Sequence, residues 1–379
     1  MPLPRLCIAL LCVPLLAAAT PSPAPPAADA LFANGDFVRA KAAYADDLAR
    51  DPKDSDALLG LARIELYENH LDAATKYANA AGTAAARVLG TIAAREQIAA
   101  SAAALDVPAG GVVMPFLESE PLPALQFRIN GKLATFVLDT GAPDFTLDPD
   151  FAKELGLTIA GGKTGMFLGG NSAQVREAIV PRIDAGSITL HDVKVSILPS
   201  RGMGLYKDRV VDGVVGTAFL SRFLATIDYP HHRLILQPRS AKAPANGIAM
   251  PMWLVGDHFV FVSGSVNGLR DQLFNVDSGM TDGGFLPTAE TIAAAHVKTF
   301  PDKAFQGMGG GGPATMVPIV ADEICLGTAC QHNVQGAYTP GGSPLAMFPF
   351  KVAGSVSKTF LNNYAVTFDF VGMQMVLTP

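Results

Sequence analysis

Two aspartates stand in matching short motifs, Asp139-Thr140-Gly141 and Asp277-Ser278-Gly279. One acid on a turn is commonplace, but two acidic loops brought face to face place two carboxyls close enough to share a proton. Both cannot ionise easily, so one pKa falls and the other rises, leaving a single shared proton over a broad pH range. The ionised partner can then take a proton from an attacking water while the protonated one polarises a carbonyl oxygen. That chemistry calls for neither a metal nor another cofactor. The glycine after each acid lets the backbone turn tightly and aim N–H groups at the carboxylates.

The elements that must position these acids recur along the chain. Asn130-Gly131 and Phe136-Val137-Leu138 precede the first motif, and Asn267-Gly268 and Phe274-Asn275-Val276 precede the second. Each unit reads as hairpin turn, strand and acidic loop. The spacing from Asn130 to Asn267 is 137 residues, from Asp139 to Asp277 138, and from Asp228 to Asp369 141, a nearly fixed offset that indicates two homologous lobes. Both halves also carry a glycine-rich turn, Leu168-Gly169-Gly170-Asn171 and Met308-Gly309-Gly310-Gly311-Gly312, and both end in a pair of strands. From Gly110 onward, short apolar runs broken by Gly, Pro and Asn indicate an all-β body. The expected architecture is mainly β, with lobes over 110–240 and 241–379 behind an N-terminal all-α region.

With these motifs in hand, residues from about 110 to the end resemble the pepsin and retropepsin superfamily of aspartic peptidases. The first lobe carries the whole pattern: Phe136-Val137-Leu138-Asp139-Thr140-Gly141-Ala142, then Asp212-Gly213-Val214-Val215-Gly216 packed behind the acidic loop. The resemblance implies an acid-protease-like fold with a cleft between the lobes. It implies a catalytic dyad of Asp139 and Asp277, supported by Thr140, Gly141, Ser278, Gly279 and Gly216. It also implies that the Thr140 and Ser278 hydroxyls bond across to the opposite loop. A flap is implied over Met166 to Gln174, with Phe167 and Leu168 as apolar cover and Gly169 and Gly170 as hinges. Gly307 to Ala314 is the second-lobe counterpart, either another flap or an exposed glycine loop. No tyrosine lies between Asp139 and Tyr206, which places the chain toward the simpler, retropepsin-like end.

The second lobe departs from the pattern. Met280 replaces the small residue after Asp277-Ser278-Gly279, and Asn275 interrupts the apolar run. Aligning Phe219-Leu220 with Phe360-Leu361 sets Gly216 against Ser357; alternatively Val352-Ala353-Gly354 supplies the supporting glycine. The reading is an aspartic endopeptidase acting on a peptide or protein. The rival is a catalytically inactive module that keeps the fold and binds peptides, through its cleft or its helices.

At the N-terminus, Arg5, an apolar stretch from Leu6 to Leu16 and Ala17-Ala18-Ala19 read as a secretory signal over 1–19, too short to span a bilayer. Cys12 after Leu10-Leu11 is the rival, a lipid-anchored cysteine. The expected location is exported, periplasmic or secreted. No later stretch approaches the roughly 20 apolar residues of a membrane helix. A proline-rich linker over 20–28 follows. Cys325 and Cys330 would then be the remaining thiols, and the glycine between them suggests a disulfide across a hairpin rather than a metal pair. His231-His232 reads as a solvated turn, and Asp144, Asp148 and Asp150 as caps of a short helix from Pro149 to Leu155. No Gly-x-Ser-x-Gly elbow supports a serine hydrolase. Net charge is −6 with no basic patch, which speaks against nucleic acid.

Residues 29–105 are rich in alanine and leucine at helical spacing. Gly35, Phe37, Ala40, Tyr44 and Pro52, continued by Leu58, Leu61, Ala62, Leu71 and Ala74, resemble about one and a half tetratricopeptide repeats. Such a region is either a docking surface for a protein partner or a helical cap on the main body. Both lobes occur in one chain, so a monomer is the expected state.

Overall fold

The computed structural model describes residues 27–281 and 283–379, so the expected signal segment and residues 20–26 of the linker lie outside the described residues. The described residues open with five α-helices, α1 (Ala28–Ala33), α2 (Phe37–Arg50), α3 (Ser55–Tyr67), α4 (Leu71–Ala81) and α5 (Ala86–Ala103). Alanine-rich sequence favours them, and side-chain caps fix their starts. Asp36 accepts from the Arg39 amide at the head of α2, and Asp54 accepts from Asp56 and Ala57 at the head of α3. Gly60 lets α3 lie tight against α2, because a Cβ there would sit 2.4 Å from the Tyr44 ring.

Everything after α5 is mainly β, in two lobes. The first is a seven-stranded sheet in the order Ala124–Ile129, Lys132–Leu138, Gly213–Val215, Phe145–Leu147, Ile188–Ile197, Ser172–Ala185, Ala160–Met166, with Ala124–Ile129 also meeting Ser172–Ala185. Its opening hairpin turns at Asn130 (φ 48°) and Gly131 (φ 83°), and the second lobe repeats this at Asn267 (φ 48°) and Gly268 (φ 81°). Two successive positive φ values are what Asn-Gly supplies to a hairpin with the twist of its strands.

A shared sheet joins the lobes. Its central pair is Leu224–Asp228 from the first lobe against Ala365–Asp369 from the second, antiparallel, with Thr226 opposite Thr367. Those residues are equivalent in the duplication, so the pseudo-twofold axis passes between them, where their hydroxyls meet at 2.8 Å. A single apolar core runs through both lobes and this sheet. A second cluster ties the helices to the second lobe: Phe32, Phe37 and Tyr67 pack on Trp253, Phe261, Leu273 and Phe350. Arg95 of α5, buried, donates to the carbonyls of Leu66, Leu254 and Gly256, pinning the helices to the turn at Gly256.

The hairpin of Gly312–Leu326 with Ala329–Tyr338 sets Cys325 opposite Cys330, and a disulfide joins them. His231 and His232 lie in the turn between Leu224–Asp228 and Arg233–Gln237, bonded to Asp228 and Ser119. Asp148 caps the short helix Pro149–Glu154, while Asp144 instead pairs with Arg222 at 2.8 Å. No helix among the described residues is long and apolar enough to cross a membrane.

Candidate active site

Each acidic loop leaves the end of a strand that is clamped in parallel by another. Phe136, Val137 and Leu138 pair with Gly213, Val214 and Val215, and Phe274, Asn275, Val276 and Asp277 pair with Gly354, Ser355, Val356 and Ser357. The loops then cross between the lobes and lock. The Thr140 amide donates to Ser278 Oγ at 2.9 Å, and the Ser278 amide donates to Thr140 Oγ1 at 2.9 Å. In turn Thr140 Oγ1 donates to the Val276 carbonyl at 2.8 Å, and Ser278 Oγ to the Leu138 carbonyl at 3.2 Å. Both hydroxyl residues are buried, so these bonds are shielded from water.

The lock sets the carboxyls against each other. Gly141 N–H donates to Asp139 Oδ1 at 2.8 Å and Gly279 N–H to Asp277 Oδ1 at 3.0 Å. A Cβ on Gly279 would lie 2.2 Å from the Asp139 carboxyl carbon, and one on Gly141 2.8 Å from that of Asp277. Each acid therefore rests on the other loop's glycine, and the two carboxyls hydrogen-bond to one another. Burial and then the Asp277 charge hold the Asp139 carboxyl well above the usual carboxylate range. Burial also raises Asp277, an effect opposed by the Gly279 N–H and by the hydrogen bond from Asp139. One proton shared by the pair is the state this geometry favours.

The register resolves the departures of the second lobe. Gly354 takes the place of Gly213, so it is Ser357 that stands where Gly216 does. The two share one backbone conformation, φ −119° and ψ −166° for Gly216 against φ −129° and ψ −177° for Ser357. At Gly216 a Cβ would lie 2.1 Å from the Ala142 carbonyl oxygen. The equivalent carbonyl in the second lobe, that of Met280, instead accepts a hydrogen bond from Ser357 Oγ at 3.3 Å. The obstacle has become a partner, and Asp277 keeps its place. Met280 packs beside Leu286, Met316 and Ala337 and leaves the dyad clear. One support is not duplicated: Thr217 Oγ1 donates to the Thr140 carbonyl at 2.8 Å, whereas the matching Lys358 reaches out to Glu120 at 2.5 Å.

Both flap candidates are hairpins, Ala160–Met166 with Ser172–Ala185 and Phe305–Gly309 with Gly312–Leu326. They meet. The Phe167 ring packs on Gly310, where a Cβ would lie 2.7 Å from it, and Asn171 Nδ2 donates to the Pro313 carbonyl at 2.9 Å. Gly169 abuts Ala314, and Gly170 abuts the Gly341 carbonyl. Gly169 and Gly170 both hold positive φ (75° and 74°) in the turn that begins at Leu168, a conformation that favours glycine. The glycine run at 309–312 is thus the socket for Phe167 rather than a free loop.

Two residues near the dyad carried no signal in the sequence reading. Tyr229, buried, sits beneath the lock with its hydroxyl beside Ser278. His258, in the turn after Gly256 and bonded through Nδ1 to Asp257 at 2.5 Å, lies close enough to Asp277 to oppose the rise of that carboxyl's pKa. Neither belongs to a motif, and only the register of distant strands brings them here.

Residues 125–219 match the family model for aspartyl proteases. This span of the aspartyl protease model holds Asp139, Thr140, Gly141, the first flap and Gly216, while Asp277 and the second lobe fall outside it. No curated protein matches the chain. Among solved structures, it is similar to a retropepsin-like aspartic protease from Rickettsia conorii at 20% identity and a TM-score of 0.25, over 35% of this chain and 91% of that one. It is also similar to Basic 7S globulin from soybean at 12% identity and a TM-score of 0.41, over 72% of this chain and 97% of that one.

Proposed function

We propose that the chain is an exported aspartic endopeptidase that hydrolyses peptide bonds in the cleft between its lobes. The observation that carries this reading is the pair of carboxyls, Asp139 and Asp277, each seated on the opposite loop's glycine and bonded to the other. The ionised Asp277 takes a proton from water as the water attacks the peptide carbonyl. Asp139 donates its hydrogen bond to that carbonyl oxygen, stabilising the charge that develops there. The proton held by Asp277 then passes to the leaving nitrogen as the C–N bond breaks. Closure of the two flaps excludes bulk water and holds an extended peptide above the acids. Both acids come from one chain, so the reading takes the active form as a monomer. The packing of Phe32, Phe37 and Tyr67 on the second lobe supports a helical cap over a free tetratricopeptide-like docking surface.

The test is cleavage of a mixed peptide library by the wild type and by Asp139→Asn and Asp277→Asn, with and without a statine-type transition-state mimic. Cleavage that either substitution lowers by at least about a thousandfold, and that the mimic blocks, is expected. Equal cleavage by all three proteins excludes the dyad. Peptide binding without cleavage by the wild type favours the inactive binding module.

A further inference from the structure

The loop that carries Asp277 has lost the lobe-one support made by Thr217 and keeps a serine where the first loop has a threonine. Directly beneath it lies a phenol that the proposed chemistry does not use. Tyr229 follows the central strand Leu224–Asp228, is only 4% exposed, and belongs to the core shared by both lobes. Its hydroxyl is buried and lies beside Ser278, yet no hydrogen bond of ordinary distance and angle joins the two in this arrangement. A buried hydroxyl without a good partner destabilises the fold, so its presence in the core calls for a use.

Ser278 Oγ has the complementary vacancy. Its proton goes to the Leu138 carbonyl and one lone pair accepts the Thr140 amide, which leaves its second lone pair free among the bonds of the lock. The pseudo-twofold axis makes the situation asymmetric. The residue equivalent to Tyr229 in the second lobe is Phe370, which has no hydroxyl. A buried donor without a well-formed bond beside an acceptor with a spare lone pair is thus present on the Asp277 side, and Phe370 leaves no counterpart in the second lobe.

We infer that Tyr229 is a positioning residue for the second acidic loop, donating from its hydroxyl to Ser278 Oγ when substrate draws the lobes together. Ser278 is continuous with Gly279, whose N–H holds Asp277 Oδ1, so fixing Ser278 fixes the carboxyl that takes the proton from water. The bond forms in the working complex and not at rest, so it acts on turnover rather than on substrate affinity. The inference rests on the proposed dyad chemistry.

Tyr229→Phe removes only the oxygen, and the phenyl ring keeps the core filled. The expected result is a roughly tenfold fall in kcat with KM within about twofold of wild type, consistent with a sub-ångström loosening of a reacting group. The alkaline limb of the kcat profile moves as well. The titratable groups that face the lock are Asp139, Asp277, His258 and Tyr229 itself, so the profile is measured beside His258→Gln to separate the histidine. The melting temperature stays level or rises, because a buried unpaired hydroxyl is gone.

A second measurement stands apart from peptidase activity. The pH dependence of thermal unfolding, compared with that of Asp277→Asn, reports the dyad proton directly, and with a statine-type mimic bound its midpoint shifts in Tyr229→Phe. Wild-type kcat together with an unshifted midpoint overturns the inference. So does a fall in kcat that merely tracks a lower melting temperature. Should the wild type cleave nothing, the peptidase reading fails, and the midpoint alone decides the role of Tyr229.

Discussion

At the scale of single residues, the dyad is a stability term as well as a site. Asp139 has a folded-state pKa well above its unfolded value of about 4, through burial and the neighbouring Asp277 charge. A raised carboxyl pKa contributes stability that is full below the unfolded pKa and is lost as pH rises through the folded one. The wild type should therefore lose stability as pH rises above the unfolded value of about 4. Asp139→Asn removes the like-charge conflict and should be more stable at pH 7 by about 1–2 kcal/mol, with the advantage fading near pH 4. Urea unfolding of both proteins across that range checks this, and parallel curves would refute it.

The acids, hydroxyls and glycines of the lock were legible in the sequence because the chemistry fixes their types and the backbone fixes their order. Ser357 was not. Whether a side chain fits behind an acidic loop depends on a carbonyl 77 residues away, that of Met280, which here accepts its hydroxyl.

At the scale of elements, the two hairpin flaps hold one another by shape. Phe167 fills the space that the missing side chains of Gly310 and Gly311 leave open. Gly310→Val would place a Cβ within 2.7 Å of the Phe167 ring and force the flaps apart. The expected outcome is a KM raised roughly tenfold, faster proteolytic nicking of both hairpins, and little change in global stability, since flap contacts belong to the low-stability part of the fold. Pairing it with Phe167→Ala should restore closure in part, and a double variant no better than Gly310→Val alone would show that the contact is incidental. The sequence showed two glycine-rich turns at equivalent offsets, but their meeting depends on how far each hairpin leans over the cleft.

At the scale of the whole molecule, the helices and the second lobe behave as one body. Phe37 is almost fully buried and meets Tyr67, Trp253 and Phe350 edge-on, with ring centroids 5.4, 5.6 and 5.0 Å away. Phe37→Ala should cost about 3–5 kcal/mol. Helical and tertiary signals should melt together in one transition, in the wild type and in the variant. Separate melting of the helices in calorimetry would show them to be an independent domain.

The sequence by itself determined the duplication, the acidic loops, the hairpins that feed them and the split between helices and strands. These follow from local rules: Asn-Gly turns need positive φ, strands alternate, and an acid-hydroxyl-glycine loop can be built from adjacent residues. Tertiary structure alone decided that Asp277 still faces Asp139, that a serine replaces a supporting glycine without displacing it, that Tyr229 comes to lie beside Ser278, and that Arg95 pins the helices to the turn at Gly256. Those facts depend on distances between atoms far apart in the chain. Such distances are set by the packing of the shared core about the pseudo-twofold axis, which no local pattern encodes.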